Sequence, residues 1–292
     1  MKGFLCVLKP PGMTSSDVVL FVRKRLPKGT KVGHAGTLDP EAAGVLPIMI
    51  GKATRLFDYV TDKEKTYIAQ WKPGVKTDTQ DAFGKVIARG RKEVQLSELE
   101  SVLSLFIGQI YQKPPMYSAI KRDGKRLYDL ARKGQEVELE KRPIAVHRIQ
   151  VICRLNDGSY ILEVCCGRGT YIRTLCEDIG ESIGCLAHMG FLIRKTAGPF
   201  DIGRAVTLEE IDAAENLEGF LEPCDLPLQH LPAVTIDQKA EKLVRCGNPI
   251  PVSCIHPVPE PDCVVRLYLQ QEFCGIGRVK GSQLRFDAML LD

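Results

Sequence analysis

Apolar residues recur along the first part of the chain at the spacings typical of short strands and amphipathic helices. An uninterrupted apolar run over residues 4–8 predicts a buried strand. Behind it Thr14 or Ser15 can cap a helix, whose apolar positions are Val18, Val19, Val22 and Leu26. The same criteria predict further strands over residues 46–50, 66–71, 145–155 and 160–166, and helical segments over residues 54–60 and 170–179.

Two capping-box patterns mark further helix starts. The run Ser97-Glu98-Leu99-Glu100 predicts a helix that begins there and ends near Gly108. The run Thr207-Leu208-Glu209-Glu210 predicts a second helix, inside a stretch over residues 201–229 that carries eight acidic side chains against one arginine.

The acidic stretch ends in Pro223, Pro227 and Pro232, which is typical of a domain boundary. Beyond it the pattern predicts a helix over residues 237–246, stopped by Gly247, and short strands over residues 264–269, 275–279 and 284–290. We therefore predict two domains, residues 1–228 and a small β-rich domain or barrel of residues 229–292, in agreement with the length of 292 residues.

Composition argues against a membrane protein, a disulfide framework and a metal site. The longest apolar stretches are far shorter than the roughly 20 residues that a membrane span needs, and no signal-peptide pattern opens the chain, so we expect a cytoplasmic protein without membrane contact. Eleven cysteines lack any CxxC spacing, and the five histidines lack ligand spacing, so the sequence predicts neither a disulfide framework nor a metal site.

Basic side chains are concentrated in two regions. Residues 1–36 carry seven lysines or arginines against one acid, and residues 113–148 carry ten against five. Such stretches suit a phosphate backbone, although solvated surface charge explains them equally well from charge alone. The segment 112–142 also contains prolines, glycines and one short predicted helix over residues 125–133, which is typical of a projecting arm.

The run GHAGTLDP over residues 33–40 places one carboxylate, Asp39, on constrained backbone between two glycines and Pro40. A carboxylate held in such a loop can serve as a nucleophile. The alternative is a turn aspartate that caps the segment 40–43, which is the commoner use of an Asp-Pro pair taken alone.

Five segments occur in one order along the chain: KPPGMTS at 9–15, GHAGTLDPEAAGVL at 33–46, KTY at 65–67, PPMYSAIK at 114–121 and RGTYIRTL at 168–175. Their order and spacing resemble the TruB family of tRNA pseudouridine synthases. The resemblance implies an α+β fold with a mixed, largely antiparallel sheet flanked by helices and loops, and a small C-terminal PUA-like domain. It also implies isomerisation of uridine to pseudouridine at position 55 in the T-loop of tRNA.

The resemblance assigns the chemistry to three residues. Asp39 would be the nucleophile, attacking C6 of the base or C1′ of the ribose, and Arg173 would be the cation that holds it charged in a dry pocket. Tyr67 would stack on the target base and assist removal of the C5 proton. Without the resemblance, Arg173 would be read as pairing with its i+4 neighbour Glu177 and Tyr67 as a half-buried strand aromatic.

Further roles concern the bound RNA. His34 would occupy the space left by a flipped uridine, and Leu192 would form an apolar wall for the uracil, although a hydrogen-bonded loop histidine and a core leucine are the plain alternatives. Tyr171 is a weaker candidate that could equally pack the helix start. Lys9 and Lys65 are electrostatic candidates at the pocket or the RNA backbone. The arm would clamp the RNA through four basic residues, which are Lys121, Arg122, Lys125 and Arg126.

The expected enzyme is a monomer that needs no metal, cofactor, guide RNA or obligatory protein partner and binds the T-arm of tRNA. Three alternatives stay open at this point. They are a guide-dependent synthase of the dyskerin type, a non-catalytic RNA-folding protein that uses the same groove, and an aspartate-nucleophile phosphotransferase. The last would be expected to carry a second carboxylate for Mg²⁺, which the GTLDP run lacks.

Overall fold

A computed structural model describes residues 1–91, 93–118, 120–122, 125–127, 137 and 139–291. Its strands in chain order are β1 (Gly3–Lys9), β2 (Val32–His34), β3 (Ala43–Ile50), β4 (Lys65–Pro73), β5 (Val75–Thr77), β6 (Val86–Arg89), β7 (Gly108–Gln112), β8 (Lys121–Arg122), β9 (Lys125–Arg126), β10 (Arg142–Arg154), β11 (Tyr160–Cys166), β12 (Ala187–Ala197), β13 (Phe200–Asp201), β14 (Leu221–Glu222), β15 (Ala233–Ile236), β16 (Ile250–Pro251), β17 (Ile255–His256), β18 (Val264–Leu269), β19 (Glu272–Lys280) and β20 (Gln283–Met289).

The α-helices are α1 (Ser15–Lys24), α2 (Phe57–Val60), α3 (Leu96–Leu103), α4 (Ile172–Ile183), α5 (Leu208–Ala213) and α6 (Glu241–Arg245). Short 3₁₀ turns lie at Gly51–Leu56, Ser104–Phe106, Ile202–Arg204, Glu218–Phe220, Leu226–Leu228, Gln238–Ala240 and Val252–Cys254. Over the ranges that the structure describes, no helix is both long and apolar enough to cross a membrane.

The main sheet has the strand order β14-β1-β3-β12-β4-β11-β10-β7, with β2 beside β3 and β13 beside β12. Its neighbours run antiparallel except β3 and β12, which pair in parallel through Ala43 and Gly44. Of these two parallel strands, β3 follows the Asp39 loop and β12 follows helix α4. The predicted mixed, largely antiparallel α+β fold is confirmed.

Helix α4 packs on the main sheet through an apolar face. Ile172, Leu175, Cys176 and Ile179 recur at helical spacing and are buried in one cluster with sheet residues such as Trp71. The helix ends where Gly184 adopts a left-handed φ of 75°, a conformation that glycine adopts without strain. The apolar stripe therefore presses α4 onto the sheet and fixes its first turn near the Asp39 loop.

The predicted elements mostly agree with the structure, and two differ from it. The helix at 97 is capped by Gln95 rather than Ser97, because the Glu98 carboxylate accepts the Gln95 N–H at 2.8 Å. In the arm, residues 125–126 form strand β9 of a small hairpin with β8, and only Leu127 of the predicted helix is described in a helical state. The remainder of the predicted helix, residues 128–133, lies outside the described residues.

The C-terminal region forms a six-stranded sheet in the order β16-β20-β19-β18-β15-β17, which confirms its β-rich character. It has a cluster of its own, from Val234 to Leu291, and shares a second cluster with the N-terminal region, where Ile276 and Leu290 join Phe4. The Lys2 Nζ also donates to the Leu290 carbonyl at 2.9 Å. The boundary predicted between residues 228 and 229 stays a prediction, but the two regions pack directly on each other.

Candidate active site

Asp39 lies in the loop between β2 and β3, and its carboxylate forms a forked ion pair with Arg173. The Arg173 Nε lies 2.9 Å from Asp39 Oδ2, and its Nη2 donates to Asp39 Oδ1 at 3.2 Å. The arginine side chain is 5% exposed, whereas the aspartate side chain is 39% exposed. The guanidinium of the pair is therefore buried in the protein, whereas the carboxylate is accessible to a substrate.

The local alternatives do not account for the partners of these two side chains. Asp39 does open a turn, in which the Ala42 N–H bonds its carbonyl, but its carboxylate pairs with Arg173. Glu177, the i+4 neighbour of Arg173, instead pairs with Lys76 at 3.0 Å. Folding therefore brings together two residues that stand 134 positions apart in the chain.

Arg173 is held in place by three further groups. Its Nη2 donates to the Tyr117 carbonyl at 2.9 Å and its Nη1 to the Thr79 carbonyl at 3.2 Å. The Asp81 Oδ2 lies 3.9 Å from its Nε. Because a guanidinium is planar, contacts on several edges fix both its position and its tilt relative to Asp39.

The turn that supplies Thr79 and Asp81, between β5 and β6, was missed by the sequence analysis. The Asp81 carboxylate accepts bonds from the Thr79 hydroxyl at 2.6 Å and the Phe83 N–H at 3.0 Å, which closes the turn. Gln80 takes a positive φ of 65° and accepts a bond from Thr174 of α4 at 2.8 Å. The run TDTQD at residues 77–81 is the signal, because Asp and Thr side chains build such turns.

Gln112 was also missed, and it fixes the start of α4. Its Oε1 accepts the Tyr171 N–H at 2.8 Å, and its Nε2 donates to the Tyr171 carbonyl at 3.0 Å. Gln112 is buried, so the two bonds are shielded from water. The residue at the end of β7 thereby places the turn that carries Arg173.

Residues of the N-terminal segment hold the Asp39 loop in place through hydrogen bonds. The Ser15 hydroxyl accepts the Leu38 N–H at 2.9 Å and lies 3.2 Å from the Leu38 carbonyl. On the other side of Asp39, the Pro40 carbonyl accepts the Gly12 N–H at 3.0 Å and Lys9 Nζ at 2.8 Å. The backbone on both sides of Asp39 is therefore anchored.

Lys9 and Lys65, which were expected at the pocket or at the RNA backbone, both direct their ammonium groups to backbone carbonyls. Lys9 is fully buried, and its Nζ bonds the carbonyls of Pro10, Met13 and Pro40. Lys65 is 9% exposed and bonds the carbonyls of Thr61 and Lys63. Burial lowers the pKa of each ammonium to about 8. Both lysines brace the backbone around the pocket, and neither ammonium is presented to an RNA phosphate.

Tyr67 and Leu192 contribute to the apolar side of the site. Both are buried in the cluster that contains Leu38 of the Asp39 loop, on the adjacent strands β4 and β12. Burial raises the pKa of the Tyr67 hydroxyl, so it is a neutral phenol at neutral pH. The two side chains thus belong to the apolar core beside the Asp39 loop, and their roles toward a base stay predictions.

His34 ends strand β2, five residues before Asp39, and is half-buried. Burial and, second, the charge of Arg194 lower the pKa of its imidazole, which is therefore neutral at pH 7. Its Nδ1 has no hydrogen-bond partner among the described residues. A neutral ring with an unpaired nitrogen can stack on a base and accept or donate a bond, as its predicted role requires.

Tyr171 precedes α4 and is half-buried. Burial raises the pKa of its hydroxyl. The four basic arm residues, Lys121, Arg122, Lys125 and Arg126, lie in the β8–β9 hairpin, and only their backbone is described. The arrangement as a whole holds a partly exposed carboxylate against a buried guanidinium, beside an apolar cluster that includes Leu38, Tyr67 and Leu192.

Known proteins match this chain over most of its length. Residues 23–172 match the TruB family pseudouridylate synthase N-terminal domain, and residues 173–229 match the tRNA pseudouridylate synthase B C-terminal domain. The chain is 45% identical over 287 residues to the tRNA pseudouridine synthase B of Alkaliphilus oremlandii, with 97% of this chain and 94% of that protein covered. The corresponding protein of Syntrophomonas wolfei is 42% identical over 272 residues, with 92% and 90% covered.

Solved structures show the same architecture. An H/ACA RNP bound to a substrate RNA containing 2′-deoxyuridine holds a chain with a TM-score of 0.75 and 25% identity, covering 99% of this chain and 85% of that one. A Cbf5-Nop10-Gar1 complex holds a chain with a TM-score of 0.74 and 27% identity, covering 98% and 84%. Both alignments extend through the C-terminal sheet.

Proposed function

Because the chain belongs to the TruB family of pseudouridine synthases, we propose that Asp39 is the nucleophile of its reaction and Arg173 the group that holds it. The enzyme isomerises uridine in tRNA to pseudouridine. We place the target at position 55 in the T-loop of tRNA. The forked ion pair between the buried Arg173 and the partly exposed carboxylate of Asp39 is the observation that carries the proposal.

The reaction breaks the N1–C1′ glycosidic bond, turns the uracil and forms a C5–C1′ bond. C5 then loses a proton, N1 gains one, and the bond to the nucleophile is broken again. Asp39 attacks either C6 of the ring or C1′ of the ribose, and both routes need an ionised carboxylate. Arg173 supplies the neighbouring positive charge that favours this form. Tyr67 and Leu192 flank the base on the apolar side, and the neutral Tyr67 phenol is suited to stacking on the ring.

Access to the base requires that the uridine leave its stack. His34 and Tyr171 are proposed to contact the RNA during this step, with His34 filling the vacated space. The half-buried, neutral ring of His34 supports its role, because an uncharged imidazole can enter a base stack without the cost of burying a charge.

A tRNA substrate is favoured over a guide-dependent reaction. The relatives of 42% and 45% identity are tRNA pseudouridine synthases, whereas the H/ACA chains share 25% and 27% of their residues with this one. We propose a monomeric enzyme of the cytoplasm, where its tRNA substrate lies, that acts without a cofactor, a metal or a protein partner. The C-terminal residues 229–292 are proposed as a PUA-like RNA-binding domain.

The test uses purified protein and an unmodified tRNA transcript, with no other RNA or protein added. We expect pseudouridine at one T-loop uridine, read by chemical mapping after reverse transcription. A transcript with cytidine at position 55 is the matched control and should gain none. Modification at another position would refute the proposed target, and dependence on an added guide RNA would favour the dyskerin-type alternative.

The arm is proposed to supply part of the RNA affinity through counterion release. Replacing Lys121, Arg122, Lys125 and Arg126 together with glutamine should weaken tRNA binding and flatten the slope of log affinity against log salt by up to about four. Single-turnover chemistry at saturating RNA should change little, because these residues lie outside the Asp39 loop.

A matched control exchanges lysine and arginine at the same four positions, which keeps every charge. Filter binding across a salt series should then give the wild-type slope. An unchanged slope in the glutamine variant would show that the arm is a solvated connection and not an RNA clamp.

A further inference from the structure

Arg194 is a second buried arginine beneath the Asp39 loop, on strand β12. Its side chain is 1% exposed. The guanidinium donates from Nη2 to the Gly36 carbonyl at 3.1 Å, from Nη1 to the Thr37 carbonyl at 3.3 Å and from Nε to the Val45 carbonyl at 2.7 Å. Gly36 and Thr37 precede Asp39, and Val45 follows it, so one side chain ties both arms of the loop.

The burial of this charge is unusual because no carboxylate of the described residues lies within 4.0 Å of it. Burying an unpaired guanidinium costs several kcal/mol unless hydrogen bonds compensate for the lost water. The three carbonyls provide that compensation through charge-assisted bonds. The charge also acts on its surroundings, since burial and then Arg194 lower the pKa of Lys65 to about 8.

The position of Arg194 in the sheet makes it a rigid anchor. Its backbone pairs in parallel with Gly44 of β3 on one side and antiparallel with Tyr67 of β4 on the other. Gly44 has a φ of 112°, and a Cβ there would lie 2.3 Å from the Arg194 carbonyl. Only glycine allows the end of the Asp39 loop to approach β12 this closely.

We propose that Arg194 is a positioning residue for pseudouridine formation, holding the Asp39 loop at the distance from the sheet at which the carboxylate meets both Arg173 and the target nucleotide. This inference rests on the proposed role of Asp39. Arg194 does not touch the carboxylate, and it acts through the carbonyls of residues 36, 37 and 45. A displacement of about 1 Å at a reacting group can cost on the order of 100-fold in rate.

The test is Arg194→Met, which keeps the approximate length of the side chain and removes its donors, with Arg194→Lys as the partial replacement. Single-turnover assays with enzyme in excess separate the rate constant from the fraction of active enzyme. We expect the rate constant to fall about 100-fold for Met and about tenfold for Lys, with the dissociation constant for tRNA within about threefold of wild type.

A merely structural role would lower the melting temperature and the reaction amplitude but leave the rate constant of the folded fraction unchanged. Tyr160→Phe is the matched control, because Tyr160 of strand β11 is also buried and its hydroxyl donates to the Val94 carbonyl at 2.7 Å. It should lower stability and leave the rate constant at the wild-type value.

Asp39→Asn, assayed in parallel, distinguishes a failure of the proposed role of Arg194 from a failure of the proposed role of Asp39. A rate constant within threefold of wild type for Arg194→Met, beside an inactive Asp39→Asn, overturns the role of Arg194 alone. An active Asp39→Asn overturns the proposed nucleophile instead. If Arg194→Met does not fold, Arg194→Lys decides. A tenfold loss with tRNA affinity retained supports positioning, and a rate within threefold of wild type refutes it.

Discussion

Asp39→Asn is expected to abolish pseudouridine formation while tRNA affinity stays within about tenfold of wild type. The amide has nearly the same shape as the carboxylate but cannot act as the nucleophile. Affinity should persist because most contacts to RNA are made with its phosphates by other side chains. The measurement pairs a single-turnover assay with filter binding on the same tRNA transcript.

Asp58→Asn is the matched control for this variant. It makes the same change of charge on an exposed side chain of α2 and should retain the wild-type rate. A rate for Asp39→Asn above one hundredth of wild type would remove Asp39 from the role of nucleophile. A large loss of tRNA affinity in Asp39→Asn would instead indicate that the loop chiefly binds RNA.

Arg173→Lys is the second substitution for which we expect a large effect, with a loss of at least about 100-fold in the single-turnover rate constant. An ammonium is a point charge and cannot make the two contacts to Asp39 together with those to the Tyr117 and Thr79 carbonyls. The shorter reach of lysine leaves a buried carbonyl without its donor, so stability should also fall by about 1–3 kcal/mol.

Arg148→Lys provides the control for a surface pair of the same type. Arg148 donates to Glu163 at 2.7 Å, but its side chain is 56% exposed, and lysine should serve there almost as well. Denaturant unfolding of both variants separates loss of stability from loss of rate. Equal rates for Arg173→Lys and wild type would show that the forked pairing with Asp39 is unnecessary.

The elements of this fold could be predicted where the pattern is local. The strand at 4–8, the helix behind Thr14 and the strands that carry Tyr67 and Cys166 follow from apolar spacing and capping, which depend on residues a few positions apart. The helix cap at Gln95 was missed, because a glutamine at this position differs from the usual serine or threonine of a capping box.

The residues of the candidate site also differ in whether a local sequence pattern marks them. Asp39 could be recognised as a carboxylate on constrained backbone, but its loop alone favours a turn aspartate, and the role of nucleophile followed from the resemblance. Arg173 could be chosen only through the resemblance to a family, because its local pattern favours the Glu177 pairing that the fold does not use. Gln112 and Arg194 gave no signal in the sequence, and the turn of Asp81 is marked only by the run TDTQD.

By itself the sequence determined many of the strands and helices, that one constrained loop carries a carboxylate, and which family the motifs resemble, but it predicted neither β7 nor the central strand β12. Only the tertiary structure decided that Lys9 and Lys65 point inward to carbonyls and that Arg194 holds the Asp39 loop. The physical reason is that local conformation depends on neighbouring residues. The partner of a long charged side chain depends on which distant backbone groups the folded sheet leaves without other hydrogen bonds within its reach.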